Sequence, residues 1–247
     1  MLINLRNALM TGKRTPTAKD YVQSGLVAMW DGIENAGWGT HDANATVWKN
    51  LIGTGDFPTT NSQLSWASDA LIKSGTNGGV SCTPNIDLSN ALSPRTVEFV
   101  ISAQNLPQSI PANTSYYFWT LNNAGIRCEY SGSPTLKISL RSFGGMMNTG
   151  VTGPNIPRTT FSMVGTDVQS STDRNRAKYF KNGTIFDAAA FGGNATTTPT
   201  VVLFRFARDW PSTNQIQMMN LRIYSRALTA DEIAANYAID KARFNLP

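Results

Sequence analysis

Residues able to do chemistry are few in this chain, and their spacing rules out most of what they might do. There are four glutamates, Glu34, Glu98, Glu129 and Glu232, and one histidine, His41. A nucleophilic triad needs a base beside its nucleophile; with a single histidine, no Gly-x-Ser-x-Gly turn and neither cysteine near His41, none is expected. His41 and Asp42 sit in a loop rich in Gly and Asn and offer two metal ligands, but one histidine rarely makes a site, and a solvated loop histidine is the expectation. Asp167 and Asp173 flank a Ser-Ser-Thr loop, a conceivable calcium corner that reads more simply as a polar turn. Gly192-Gly193 is a turn and not a phosphate cradle.

Binding is better supplied than catalysis. A sugar stacks its C–H face on an aromatic ring while Asn, Asp and Arg read its hydroxyls, so aromatic residues in loops are the informative ones. Trp38 lies in the 31–44 loop with His41 and Asp42. Trp210 lies in the 207–214 loop with Arg208. These five form the candidate ligand-binding set, with packing under a loop left open as the other role for both tryptophans. Trp30, Trp48, Trp66 and Trp119 fall in or beside strands and are read as core.

The elements that must position these residues are almost all β. Short runs of β-formers separated by turns recur through 247 residues: Gly25–Trp30, Thr46–Leu51, Ser65–Trp66, Ala70–Ile72, Val80–Cys82, Arg95–Ile101, Tyr116–Leu121, Ile126–Tyr130, Leu136–Leu140, Thr160–Val164, Ala177–Lys181, Thr184–Phe186, Thr200–Phe206 and Leu221–Tyr224. Gly25–Trp30 is apolar on both faces, which predicts a central strand. In Arg95–Ile101, Val97, Phe99 and Ile101 point one way and Thr96, Glu98 and Val100 the other, with Glu98 expected toward solvent or a sheet partner. Asn182-Gly183 predicts a tight hairpin. Strand after strand without alternating helices predicts an antiparallel two-sheet jelly-roll sandwich. The last strand runs into a helix whose start is written out: Thr229 caps it, Glu232 completes a capping box, and Leu228 with Ile233 makes a hydrophobic staple.

Composition narrows the class further. Charged residues are 15% of the chain, against about 25% in an average globular protein. The net charge is +5, and 13 of the 21 basic residues are arginines scattered singly, so neither a nucleic-acid patch nor a basic helix is expected. Weak attraction to an acidic polysaccharide remains compatible with it. Cys82 and Cys128 are too few for a disulfide scaffold; they either pair across strands or are two buried thiols. No run approaches the ~20 apolar residues of a membrane span. The first residues do not read as a signal peptide, so synthesis and retention in the cytoplasm are expected. Residues 1–20 stand apart as an arm, with Leu2, Leu5 and Leu9 on one stripe of a short helix that only docking would order. The domain proper is expected over 21–247.

Several of these segments together resemble the laminin-G-like, or concanavalin A-like lectin/glucanase, jelly rolls of bacteria and their phages. They are the Gly25–Trp30 strand, Trp48–Leu51, the Tyr179–Ile185 hairpin and the ending Leu221–Ile233. The resemblance covers about residues 21–244, and the Arg-Ile-Tyr-x-Arg-Ala-Leu ending is its most specific part. The leader, Asn4-Leu-Arg-x-Ala-Leu9 followed by Gly12-Lys-Arg14, resembles the arms of such domains in phage or prophage proteins of gut bacteria. Catalytic members of the superfamily carry a Glu-x-Asp-x-x-Glu strand, absent here, so the resemblance implies a binding module and no enzyme. Lys49 and Asn220 stand where relatives often have acidic residues, which counts against the family's occasional calcium site; no cofactor is expected. What the resemblance implies is a virion-associated protein whose sandwich binds host-surface or mucosal glycan. Its arm would dock to a virion partner or to sister chains. A purely structural decoration or fibre protein is the alternative, and a glycan hydrolase is the third reading.

Overall fold

The computed structural model describes residues 14–74, 80–82, 95–107, 109, 115–121, 126–131, 137–142, 145–165, 177–189, 204–208 and 214–247. All strand pairs within them are antiparallel. One sheet has the order β14 (Thr184–Ala189), β13 (Ala177–Lys181), β12 (Ile156–Gly165), β7 (Arg95–Gln104), β16 (Gln215–Tyr224), β5 (Leu71–Ser74), β4 (Leu64–Trp66). The other runs β11 (Gly145–Asn148), β10 (Lys137–Ser142), β9 (Ile126–Ser131), β8 (Ser115–Leu121), β15 (Phe204–Arg208), β6 (Val80–Cys82). A short pair, β2 (Val47–Trp48) and β3 (Phe57–Pro58), stands beside them. The chain closes with one helix, α1 (Ala230–Phe244).

Period-2 alternation explains how the first sheet is covered on both sides. Val97, Phe99, Ile101, Phe161 and Met163 enter the core between the sheets, where they meet Phe118, Trp119, Cys128 and Phe206 of the second sheet. Their neighbours Thr96, Glu98, Val100, Thr160, Ser162 and Val164 are buried as well. That outer face is covered by α1 and residues 16–22, with Val164, Phe180, Tyr224, Ile233 and Ile239 in one cluster and Val100, Met219 and Phe244 in another. On β16 the core positions change from Ile216 and Met218 to Leu221 and Ile223, because a bulge between Met218 and Asn220 shifts the parity by one residue.

The β1 segment (Leu26–Asp31) corrects the expectation of a central strand. It pairs only with β16, beside the residues that β5 leaves unpaired. Its two faces are buried for separate reasons: Ala28 and Trp30 lie in the core, and Met29 lies under the helix side. The chain leaves β1 through Gly32, where a Cβ would stand 2.3 Å from the Asp69 carbonyl oxygen, so no larger residue fits that crossing. Asn182 and Gly183 form the expected hairpin, both with positive φ (50° and 75°) as a type I′ turn requires. The strand predicted over Leu136–Leu140 is described from Lys137 and continues to Ser142, with Leu136 outside the described residues, and β11 after it carries no sequence signal.

Cys82 and Cys128 cannot pair with each other. They lie on β6 and β9, with β15 and β8 between them. Three inter-strand steps separate their backbones by about 14 Å, twice what a disulfide spans. No helix among the described residues is long and apolar enough to cross a membrane. The arm helix read over the first residues falls outside the described part.

Candidate functional site

The loop after β1 is held from beneath by two acids and an amide. Asp31 Oδ1 accepts from the backbone N–H groups of Ile33 (3.0 Å) and Glu34 (3.1 Å), a turn that Asp favours for this reason. Asn35 clamps the far side: its Nδ2 donates to the Asp42 carbonyl oxygen, and its Oδ1 accepts from the Asp42 N–H, both at 2.8 Å. Glu34 Oε2 accepts from Gly39 N–H at 2.9 Å, and a bridge joins Gly37 to Thr40. Asp31, Glu34 and Asn35 are buried, while residues 38–44 are exposed. Trp38 is thus presented on a tied loop with 37% of its surface exposed.

A second segment arrives from outside the expected domain. Pro16 to Asp20 packs on the sandwich as part of its surface. The Pro16 carbonyl oxygen accepts from Arg243, Ala18 is fully buried and donates to Glu34 Oε1 at 2.9 Å, and Arg14 makes a two-point pair with Asp20. That pair holds the Asp20 carboxyl down at about 2. Lys19 is thereby placed with its Nζ 5.4 Å from the Trp38 ring centroid, a cation–π arrangement.

Beneath these surface groups lie two buried clusters, each with one arginine and two carboxylates. In the first, Arg222 donates to both oxygens of Asp240 (2.7 and 2.9 Å) and to Glu98 at 3.3 Å, with all three side chains fully buried. Asp240 also accepts from Tyr21 Oη (2.8 Å), Asn220 Nδ2 (2.9 Å) and Thr160 Oγ1 (3.2 Å). Glu98 accepts from Ser162 Oγ (2.9 Å) and Asn236 Nδ2 (2.5 Å). The Tyr21 ring lies flat against Arg222, 3.9 Å from Cζ. Burial pushes the Glu98 carboxyl and both tyrosines, Tyr21 and Tyr224, above their usual values. Burial also works against the Arg222 charge, which Asp240 and Glu98 more than restore. In the second cluster, Arg243 donates to Asp31 (2.8 Å) and Glu34 (3.2 Å). Burial pushes Asp31 up to about 6 against the pull of Arg243, and its Oδ2 has no hydrogen-bond partner among the described residues.

Glu98 has the sheet partners expected for it, Ser162 on β12 and Arg222 on β16, and Asn236 of α1 covers it so that no side of it meets solvent. The buried residues of the helix are Ile233, Asn236, Ile239, Asp240, Arg243 and Phe244, so half of its covered face is polar. Asn220, where an acidic residue was noted in relatives, donates to Asp240; an acid there would face that carboxylate. The helix start is as read: Thr229 Oγ1 accepts from Glu232 N–H, Glu232 Oε2 accepts from Thr229 N–H, and Glu232 pairs at two points with Arg226.

Of the five candidate ligand residues, the fold brings Trp38, His41 and Asp42 onto one loop surface. His41 Nδ1 lies 3.0 Å from the Gly32 carbonyl oxygen; since a carbonyl only accepts, Nδ1 carries a proton there. Asp42 Oδ1 accepts from Asn44 N–H. Arg208 ends β15, in register with Tyr117 on β8; Trp210, Asp167 and Asp173 lie outside the described residues. Among the described residues no group of three His, Cys, Asp or Glu side chains is placed to hold a metal. Lys19 and Glu34 escaped the sequence reading. Only the turn signal at Asp31–Asn35 hinted at Glu34, and nothing local tied Lys19 to Trp38.

Comparison with known proteins rests on the fold. No protein-family model matches the chain, and no curated protein matches it. Among solved structures, Trypanosoma rangeli sialidase superposes with a TM-score of 0.60 at 14% identity, over 96% of this chain and 38% of the sialidase chain. The binding domain of Paraclostridial Mosquitocidal Protein 1 gives 0.61 at 15% identity, over 86% of this chain and 52% of that one. A structure described as a receptor binding domain gives 0.58 at 13% identity, over 86% of this chain and 50% of that one. The chain therefore spans well under two thirds of each of these proteins. At such identities the likeness is one of architecture: the chain is an all-β, antiparallel jelly-roll sandwich, closed by a short C-terminal helix.

Proposed function

We propose that the protein is a non-enzymatic binding module that attaches to host-surface or mucosal glycan, with the loop carrying Trp38, His41 and Asp42 as its contact surface. The observation that carries this reading is Trp38 itself. Large aromatic rings are normally buried, and this one is left partly open on a loop that buried Glu34 and Asn35 tie from beneath. Arg208 and Trp210 belong to the proposed set on the sequence reading. The positions of the acids support a non-enzymatic role: Glu34 and Glu98 are buried and bonded to the protein, and Glu232 is paired with Arg226. The display of the module on a phage particle, with residues 1–20 docking to a virion protein or to sister chains, rests on the resemblance of the leader.

The test is a glycan array probed with the wild-type chain and with Trp38→Ala. Binding to at least one glycan, weakened tenfold or more by the substitution, is expected. An array with no bound glycan overturns the reading in favour of a purely structural decoration or fibre role.

A further inference from the structure

We infer that Trp38 and Lys19 form one preorganised platform for an anionic saccharide, a sugar bearing a carboxylate or a sulfate. This rests on the glycan-binding reading and narrows it to a ligand class. Three observations carry it. First, the two residues meet from segments 19 positions apart, with the Lys19 ammonium 5.4 Å from the Trp38 centroid. Second, one buried carboxylate sets their spacing. Glu34 Oε1 accepts from the N–H of Ala18, next to Lys19, and Glu34 Oε2 accepts from the N–H of Gly39, next to Trp38. Glu34 is itself held by Arg243. Fixing two surface groups through the backbone from below removes the ordering entropy that a ligand would otherwise have to overcome.

Third, the Lys19 ammonium is not taken up by an acid. Arg14, Lys49, Arg158, Arg222, Arg226 and Arg243 each pair with a carboxylate, whereas among the described residues Lys19 has none within ion-pair reach. An exposed ammonium beside a partly open indole matches a ligand with an apolar ring face and an acidic substituent at its edge. A neutral sugar would use the ring alone.

Titration calorimetry at 150 mM salt tests this with three oligosaccharides of equal length: an oligogalacturonate, a sulfated galactan fragment free of carboxylates and a neutral galactan fragment. The wild-type chain is expected to bind one of the two anionic probes at least tenfold tighter than the neutral one, and which of them binds identifies the acidic group. Lys19→Gln should remove that margin and Trp38→Ala should weaken all binding, while Lys178→Gln, at an exposed position on β13, should change affinity less than twofold. Binding of the neutral probe that needs Trp38 but ignores Lys19→Gln leaves the glycan reading standing and overturns the anionic platform. Equal losses from Lys19→Gln and Lys178→Gln mean diffuse charge attraction and overturn it too. No binding of any probe overturns both.

Discussion

Substituting Asp240 by Asn tests whether the buried Arg222 cluster clamps the helix to the sandwich. Asp240 accepts five hydrogen bonds, from Tyr21, Thr160, Asn220 and twice from Arg222, and it is fully buried. Asparagine keeps the shape but removes the charge and turns one acceptor into an NH2 group facing donors. Breaking one side of a buried pair destabilises by about 3–5 kcal/mol, because the other charge stays buried. With an unfolding entropy of about 2.1 cal/mol/K per residue, 247 residues give ~0.5 kcal/mol per degree, so Tm should fall by about 6–10 °C. Differential scanning calorimetry measures this directly. A matched apolar replacement, Glu98→Leu with Arg222→Met and Asp240→Leu, should recover most of the loss, since a filled apolar cluster competes well with a buried ionic one. An Asp240→Asn protein melting within 2 °C of wild type would refute the clamp.

Further outcomes concern pH, the arm and the hairpin. Asp31 at about 6 in the folded state lies above its unfolded value of 3.8, so its contribution is complete below about pH 4 and is lost as pH rises through 6, ~3 kcal/mol in all. Glu98 is raised and acts in the same sense, whereas Asp20 and Glu232 are lowered and their contributions are lost as pH falls through their folded values. Tm should therefore peak near about pH 4 and decline toward about pH 6, and Asp31→Asn should flatten that decline; a wild-type Tm rising over that interval contradicts the scheme. Removal through residue 20 strips Arg243 and Glu34 of the Pro16 and Ala18 partners and should lower stability by about 2 kcal/mol, measured by urea denaturation. Gly183→Ala should destabilise by about 1–2 kcal/mol, from positive φ and from a Cβ 2.9 Å from Tyr237; an unchanged melting curve would show that the hairpin relaxes freely.

Local signals determined the strands, the 182–183 hairpin, the capped start of the helix and the core tryptophans, because periodicity and turn chemistry are written over a few consecutive residues. Trp38, His41 and Asp42 were legible as one loop for the same reason. Tertiary structure alone decided which polar residues are buried. Glu98 on β7 looks like an outward strand position until α1 covers it, and Asn236, Asp240 and Arg243 look like a solvated helix face until the sheet offers Glu98, Arg222 and Asp31 in register. The meeting of Lys19 with Trp38 likewise depends on Glu34 holding two distant backbones at once, a three-body contact with no periodic trace in the chain. Sequence patterns report how each element partitions between water and an apolar core. Which charges find each other inside depends on packing several elements together, and there pairing, not polarity, decides burial.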